Sequence, residues 1–249
     1  MTVLALYSNK GGVGKTAAAV NLAYLAAQTG AQTLICDLDP QSSTTYYFRV
    51  KPKLKPKARG FVKGGQTIER SIKGTDYEKL DLLPADFSHR NLDISFAESK
   101  KSKTRLNRVI GPLKQEYEYI ILDCPPTINI VAENVFNTAD FILVPLIPTT
   151  LSFRTHRQLL SFLQKNGYEA SSVYGFISML DRRKKLHRQL ALDVQQEFDR
   201  VLRSPIPYLS AVEQMGLRRE PLPAFAPNSA AAKAYQALWA EIQQEVFNE

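Results

Sequence analysis

Lys10, Lys15 and Thr16 stand around glycines in Lys10-Gly11-Gly12-Val13-Gly14-Lys15-Thr16. Lysine, hydroxyl and glycine at this spacing are what a phosphate-binding loop uses. The glycines let the backbone wrap an anion with its N–H groups pointing inward. Lys15 would reach the β- and γ-phosphates of a nucleotide, and the Thr16 hydroxyl would ligate Mg²⁺. Lys10, directly before the glycines, is a charge that such a loop does not itself need. Three acids could serve the same chemistry. Asp37 and Asp39 stand two apart in Asp37-Leu38-Asp39-Pro40-Gln41, so on a strand both project from one face. Asp123 follows the apolar run Tyr119-Ile120-Ile121-Leu122. It is placed to hold Mg²⁺ through a water. One of Asp37 and Asp39 can orient an attacking water while the other supports the metal shell or the loop.

These groups need a strand before the glycines and a helix after them. Val3, Leu4, Ala5 and Leu6 precede the loop, and an alanine-rich run follows it. The remaining pattern predicts strands at 3–7, 33–36, 80–83, 119–123, 141–145 and 173–180. It predicts helices at 16–28, 91–99, 103–117, 152–165, 185–202 and 229–247, the first stopped by Gly30. Strand and helix alternate without a linker. The expected architecture is therefore one α/β domain over 1–249, a mostly parallel twisted sheet with helices on both faces. In such sheets ligands bind at the C-terminal ends of the strands, where the acids emerge. Residues 49–63 carry lysine and arginine without an acid and are broken by Pro52 and Pro56, which reads as a mobile, solvated loop.

The 249 residues, 44% of them hydrophobic, are enough for a full core, and no apolar run is long enough to span a membrane. The chain enters its first strand at Val3, which leaves no room for a signal peptide. The net charge of +8 points to an anionic partner. Cys36 and Cys124 end apolar runs and read as buried free thiols of a reducing cytoplasm, with no Cys-x-x-Cys pair to suggest a metal or a disulfide. His89, His156 and His187 read as surface or helix residues. Tyr235 and Trp239, four apart in the last helix, read as core packing.

Three ordered motifs, KGGVGKT at 10–16, DLDPQ at 37–41 and IILDCPP at 120–126, resemble the ParA/MinD family of deviant Walker ATPases, nearer to its ParA branch. The resemblance covers essentially the whole chain. FILVPLIPTT at 141–150, GFISMLDRR at 175–183 and the stretch 224–238 agree more loosely. It implies a P-loop NTPase fold, ATP and Mg²⁺ as cofactors, and a homodimer that sandwiches two nucleotides. Lys10 then resembles the signature lysine that reaches the phosphates held by the other subunit. A cation supplied in trans stabilises transition-state charge and makes hydrolysis conditional on dimerisation. Lys15 and Asp39 complete the implied catalytic set, with Asp39 polarising the attacking water. The implied nucleotide contacts are Lys10, Gly11, Gly12, Val13, Gly14, Lys15, Thr16, Ala17, Asp123, Met179 and Pro207. The implied metal set is Thr16, Asp37 and Asp123.

The resemblance further implies slow, partner-stimulated turnover and ATP-dependent, non-specific DNA binding. Arg182, Arg183, Lys184, Lys185, Arg188, Arg218, Arg219 and Lys233 are the candidates for phosphate contacts. The cargo would be a plasmid, a chromosome origin or a protein organelle such as a carboxysome, with a ParB-like or McdB-like adaptor. The location would be cytoplasmic and nucleoid-associated. The sequence departs from the family at Ala17, where a second Thr is frequent, and at Ser42, where a Gly is frequent. Residues 208–213 also lack the Arg often found near a Leu-Ser-Glu. Two rival readings are weaker. A MinD-like membrane-associated ATPase needs a basic amphipathic C-terminal helix, but 233–249 carries Glu241, Glu245 and Glu249 against one lysine. A DNA-binding scaffold that holds ATP without cleaving it has no use for Lys10, Asp39 and Asp123 together. Iron–sulfur relatives need cluster cysteines, which are missing.

Overall fold

The computed structural model describes residues 1–51, 58–85 and 87–247. Along the chain the elements are β1 (Thr2–Leu6), α1 (Lys15–Gln28), β2 (Thr33–Asp37), α2 (Ser43–Tyr47), α3 (Ala58–Lys63), α4 (Gln66–Glu69), β3 (Lys73–Gly74) and β4 (Leu80–Leu83). They continue with α5 (Leu92–Ala97), α6 (Arg105–Ile110), β5 (Tyr119–Asp123), α7 (Ile130–Phe136), β6 (Phe141–Leu146) and α8 (Thr150–Lys165). The last are β7 (Val173–Ile177), α9 (Lys185–Glu197), β8 (Val201–Leu202), α10 (Ser210–Arg218), α11 (Leu222–Phe225) and α12 (Ala230–Glu241).

The strands form one eight-stranded sheet in the order β3-β4-β2-β5-β1-β6-β7-β8. The pairings are parallel except β3 with β4. Every residue of β2 and β7 is buried, which is why these strands read as continuous apolar runs and not as alternating ones. One face of the sheet carries α1 and α12, the other α3 and α5 to α9. β1 lies between β5 and β6, so the connections diverge at its C-terminal end and leave a crevice there. The register sets Asp37 of β2 level with Asp123 of β5.

α1 is buried almost all round, and its small side chains make this possible. Ala18, Ala19, Ala23 and Ala26 are fully enclosed between the sheet and α12. Tyr235, Leu238 and Trp239 of α12 belong to that core, as the sequence suggests. At β7, Gly175 permits close approach of its neighbours, since a Cβ there would lie 2.7 Å from Leu146 Cδ1.

Several expectations are corrected. Residues 58–63 are not part of a solvated loop: they form α3, whose Ala58, Phe61 and Val62 are buried in the core. Arg49 is tied down as well, by Glu220 at 2.7 Å and by the Arg219 carbonyl. The stretch 52–57, which holds both prolines of that loop, lies outside the described residues. The helix expected at 185–202 ends at Glu197, and Val201 and Leu202 become edge strand β8 beside β7. The helix expected at 103–117 is broken into 3₁₀ and α turns around Gly111-Pro112. Helices α2, α4, α7, α10 and α11 have no counterpart in the sequence reading. Cys36 and Cys124 are buried and free. Among the described residues no helix is long and apolar enough to cross a membrane.

Two of the histidines expected at surface or helix positions are buried: His89 and His156 are each 3% exposed, the latter on helix α8. His156 of α8 sets its ring edge against Phe198 at 4.9 Å, beside the Arg157–Glu197 ion pair. Burial pushes its imidazole down from 6.5 to about 4, against a smaller upward pull from Glu197. Between those values the unfolded chain takes up a proton that the folded one refuses. Stability is therefore lost as the pH falls from 6.5 towards 4, by on the order of 3 kcal/mol. Thermal melts of His156→Leu are expected to show a flatter acid limb than the wild type. An unchanged limb would show that His156 is protonated in the folded state.

Candidate functional site

The glycine loop leaves the end of β1 and turns into α1. Gly12 and Gly14 both adopt positive φ, +70° and +92°, which side-chain-bearing residues rarely tolerate. A Cβ on Gly14 would also lie 2.8 Å from Ser178 Oγ. Ser178, at the end of β7, donates its hydroxyl to the Val13 carbonyl at 2.9 Å and braces the loop from beneath. At Gly11 and Gly12 a Cβ would meet nothing within 4 Å, so the loop is open around these two residues. α1 begins without a side-chain cap and without an acid in its first turn. Its leading N–H groups and the positive end of its dipole thus face the open loop.

Lys15 is buried, and its ammonium donates to the Lys10 carbonyl at 3.2 Å. This holds the charge across the mouth of the loop. The Lys10 ammonium donates to the Leu151 carbonyl of α8 at 3.0 Å, at an exposed position. Thr16 is half-buried.

The acids form a stacked pair at adjacent strand ends. Asp37 and Asp123 are both fully buried. Asp37 Oδ2 accepts from the Thr45 backbone N–H at 2.9 Å and from its hydroxyl at 2.7 Å, and Oδ1 accepts from the Asp39 N–H at 3.2 Å. Asp123 Oδ2 accepts from the Thr44 hydroxyl at 2.8 Å. Asp123 Oδ1 is buried without a hydrogen-bond partner among the described residues. Burial pushes both carboxylates up, and mutual repulsion adds to this at Asp37. The Thr44 and Thr16 hydroxyls and the Lys15 ammonium pull Asp123 part of the way back. Asp39, half-buried, accepts from the Gln41 N–H at 2.9 Å and so shapes the turn into α2.

An unsatisfied, buried carboxylate oxygen is costly unless a cation or a donor completes it. Asp123 Oδ1, the Thr16 hydroxyl near the same carboxylate and the open loop fit a hard divalent cation carrying a polyphosphate. Asp37 spends its oxygens on Thr45 and Asp39, which suits the loop-supporting role better than direct ligation.

Met179 lies at one edge of this site. Met179 follows Ser178 at φ +56°, with its Cε 3.8 Å from where a Gly14 Cβ would stand. Pro207 is bridged to Leu180, the residue after Met179. Ala17 is half-buried in the first turn of α1.

The basic candidates are not all free for an external ligand. Arg182 and Lys233 line one groove of about 530 Å³, together with Arg203, Pro207 and Leu209. Lys184, Lys185 and Arg218 are exposed. Arg183 is engaged with both oxygens of Asp181, and Arg188 donates to the Arg182 carbonyl. Arg219 is turned inward: it donates to the Tyr46 carbonyl at 3.0 Å and lies 4.4 Å over the Tyr46 ring. It latches α2 to the end of α10. Thr44, Thr45, Ser178 and Arg203 escaped the sequence reading. The paired hydroxyls directly after the Asp-rich turn were the one available signal.

A family model described as an AAA domain matches residues 1–173. The sporulation initiation inhibitor protein Soj of Bacillus subtilis is 28% identical over 246 residues, covering 96% of this chain and 97% of its own. The chromosome partitioning protein ParA of Caulobacter vibrioides is 27% identical over 250 residues, covering 97% and 94%. Among solved structures, cobyrinic acid a,c-diamide synthase from Mycobacterium smegmatis, with a bound ATP analogue and magnesium, superposes at a TM-score of 0.80. That match is 25% identical and covers 98% of this chain and 95% of that one.

Proposed function

The chain belongs to the AAA-domain family of ParA/MinD-type ATPases, and from that premise we propose that it is a Mg-ATP-dependent, dimerising ATPase that binds DNA non-specifically and positions a cargo. Lys15, Thr16 and the first-turn amides of α1 hold the phosphates, and Asp123 with Thr16 holds Mg²⁺. Magnesium supplies charge neutralisation between the phosphates. Asp39 orients the attacking water, Asp37 supports the loop, and Lys10 acts on the nucleotide of a second copy. Met179 and Pro207 flank the nucleotide at the β7 edge. A ParB-like or McdB-like adaptor stimulates hydrolysis and sets the cargo. The observation that carries this reading is the pairing of an uncapped α1 with the orphaned Asp123 Oδ1.

The exposed Arg182, Lys184, Lys185, Arg218 and Lys233 are the phosphate contacts of the proposed DNA face. Binding of a labelled random-sequence duplex is expected to require ATP and to weaken steeply with salt. Five phosphate contacts correspond to on the order of 500-fold loss between about 50 and 200 mM salt. Charge reversal at Arg182 and Lys185 is expected to flatten that dependence. Binding that ignores both salt and nucleotide would overturn the DNA part of the reading.

A further inference from the structure

Asp123 is fully buried at the end of β5, with two chemically equivalent oxygens in unequal surroundings. Oδ2 takes the Thr44 hydroxyl at 2.8 Å, and Oδ1 has no partner among the described residues. Thr44 is itself fully buried and sits in the first turn of α2. We propose that Thr44 is a positioning residue that locks the Asp123 carboxylate so that Oδ1 is the oxygen left for the magnesium shell. The inference rests on the nucleotide reading above and assigns a role within that site to a residue outside its motifs.

The chemistry of the donor favours this role. A carboxylate with one satisfied oxygen cannot rotate without breaking that bond. A neutral hydroxyl fixes the torsion yet leaves the negative charge for a cation. A lysine or arginine in the same place would form a buried ion pair and compete with the metal. Threonine is also stiffer at χ1 than serine, because its Cβ carries two heavy atoms, so the hydroxyl is aimed in advance. The next residue repeats the device on the other acid. Thr45 accepts the Ala85 N–H at 3.0 Å and gives its own hydrogen to Asp37. Two consecutive hydroxyls of α2 therefore clasp two neighbouring acids that repel each other. The orientation of Asp123 is thereby made to depend on where α2 sits, and α2 is held at its far end by Arg219.

The test is a magnesium titration of mant-ATP fluorescence on the full chain, with a parallel nucleotide titration in EDTA. Outer partners of metal ligands are commonly worth at least tenfold in metal affinity. Thr44→Val, which keeps the shape and removes the donor, is expected to raise the half-saturating Mg²⁺ about tenfold. Its EDTA affinity should stay at the wild-type value. Thr44→Ser, which keeps the donor, is expected to restore most of the loss. Should the valine variant not fold, Thr44→Ala offers the same comparison. A valine midpoint equal to the wild type overturns the proposal, as do equal shifts for valine and serine. A parallel fall in EDTA affinity also overturns it, since the effect would then be a general distortion of the loop. Wild-type protein whose nucleotide binding ignores Mg²⁺ would reject the nucleotide reading itself, and the Thr44 role with it.

Discussion

Lys10→Ala is expected to bind Mg-ATP at near wild-type affinity and to lose hydrolysis by on the order of 10³-fold, the scale of a cation supplied to a phosphoryl-transfer transition state. The reason lies in where the side chain stands. Its ammonium rests on the Leu151 carbonyl at an exposed position and braces nothing in the core. The part of Lys10 that Lys15 uses is the backbone carbonyl, which alanine retains. Loop geometry should therefore survive the substitution while the charge is lost. Single-turnover hydrolysis at saturating nucleotide separates the two. Mixing tests whether the charge acts between copies. Lys10→Ala has an intact loop and lacks the cation; Lys15→Ala carries the cation and lacks the loop lysine. Each alone should be inactive, and the mixture should regain activity because one site of each heterodimer is complete. No regain on mixing, with full activity in a dilute monomer, would mean that Lys10 is not used in trans.

Asp123→Asn is expected to do two opposite things. Mg-dependent nucleotide binding should fall by on the order of 100-fold, since a hard cation gains little from an amide in place of a carboxylate. The nucleotide-free protein should become more stable at alkaline pH. Burial holds Asp37 and Asp123 above the ordinary carboxylate range, with repulsion from Asp123 adding to it at Asp37 and from Asp39 at Asp123, so the folded protein keeps protons that the unfolded chain has released. Their contribution to stability is complete below the unfolded value of about 4 and is lost as the pH rises through the raised folded values. Asparagine keeps an oxygen for the Thr44 hydroxyl and removes one of the two charges. A gain on the order of 2 kcal/mol at pH 8 is the expected scale, or roughly 4–8 °C in Tm for a chain of this size. Near pH 4 the gain should vanish, and saturating Mg-ATP should stabilise the wild type but not the variant. Equal melting temperatures for both proteins at pH 8 without ligand would show that the acid pair carries no such strain.

Parts of this molecule were legible because their signals are local. Strand, glycine loop and helix follow one another within 2–28, and each is set by neighbours in sequence. Asp37 and Asp123 were identifiable because a buried parallel strand shows as an apolar run and the acid marks its end. Other features had no such signal. Val201 and Leu202 continue a helical spacing, but the bare edge of β7 recruits them into parallel pairing, in register with Gly175 and Phe176. Residues 58–63 read as solvated because lysines and prolines dominate their surroundings; Phe61 and Val62 turn them into a core helix against α5 and α6. Arg219 read as a candidate phosphate contact until Tyr46, far away in the chain, supplied a carbonyl and a ring for it.

The sequence by itself determined the family and the strand–loop–helix order. It also placed the loop lysines and the loop hydroxyl between β1 and α1 and the acids at strand ends, all consequences of spacing within a few residues. Only the tertiary structure decided that Thr44 meets Asp123, that Ser178 braces Val13, that Asp37 spends its oxygens on a turn, and which arginines remain on the surface. Those partners lie between 2 and 173 residues apart. Sheet order and register set most of these contacts, and no local propensity encodes them.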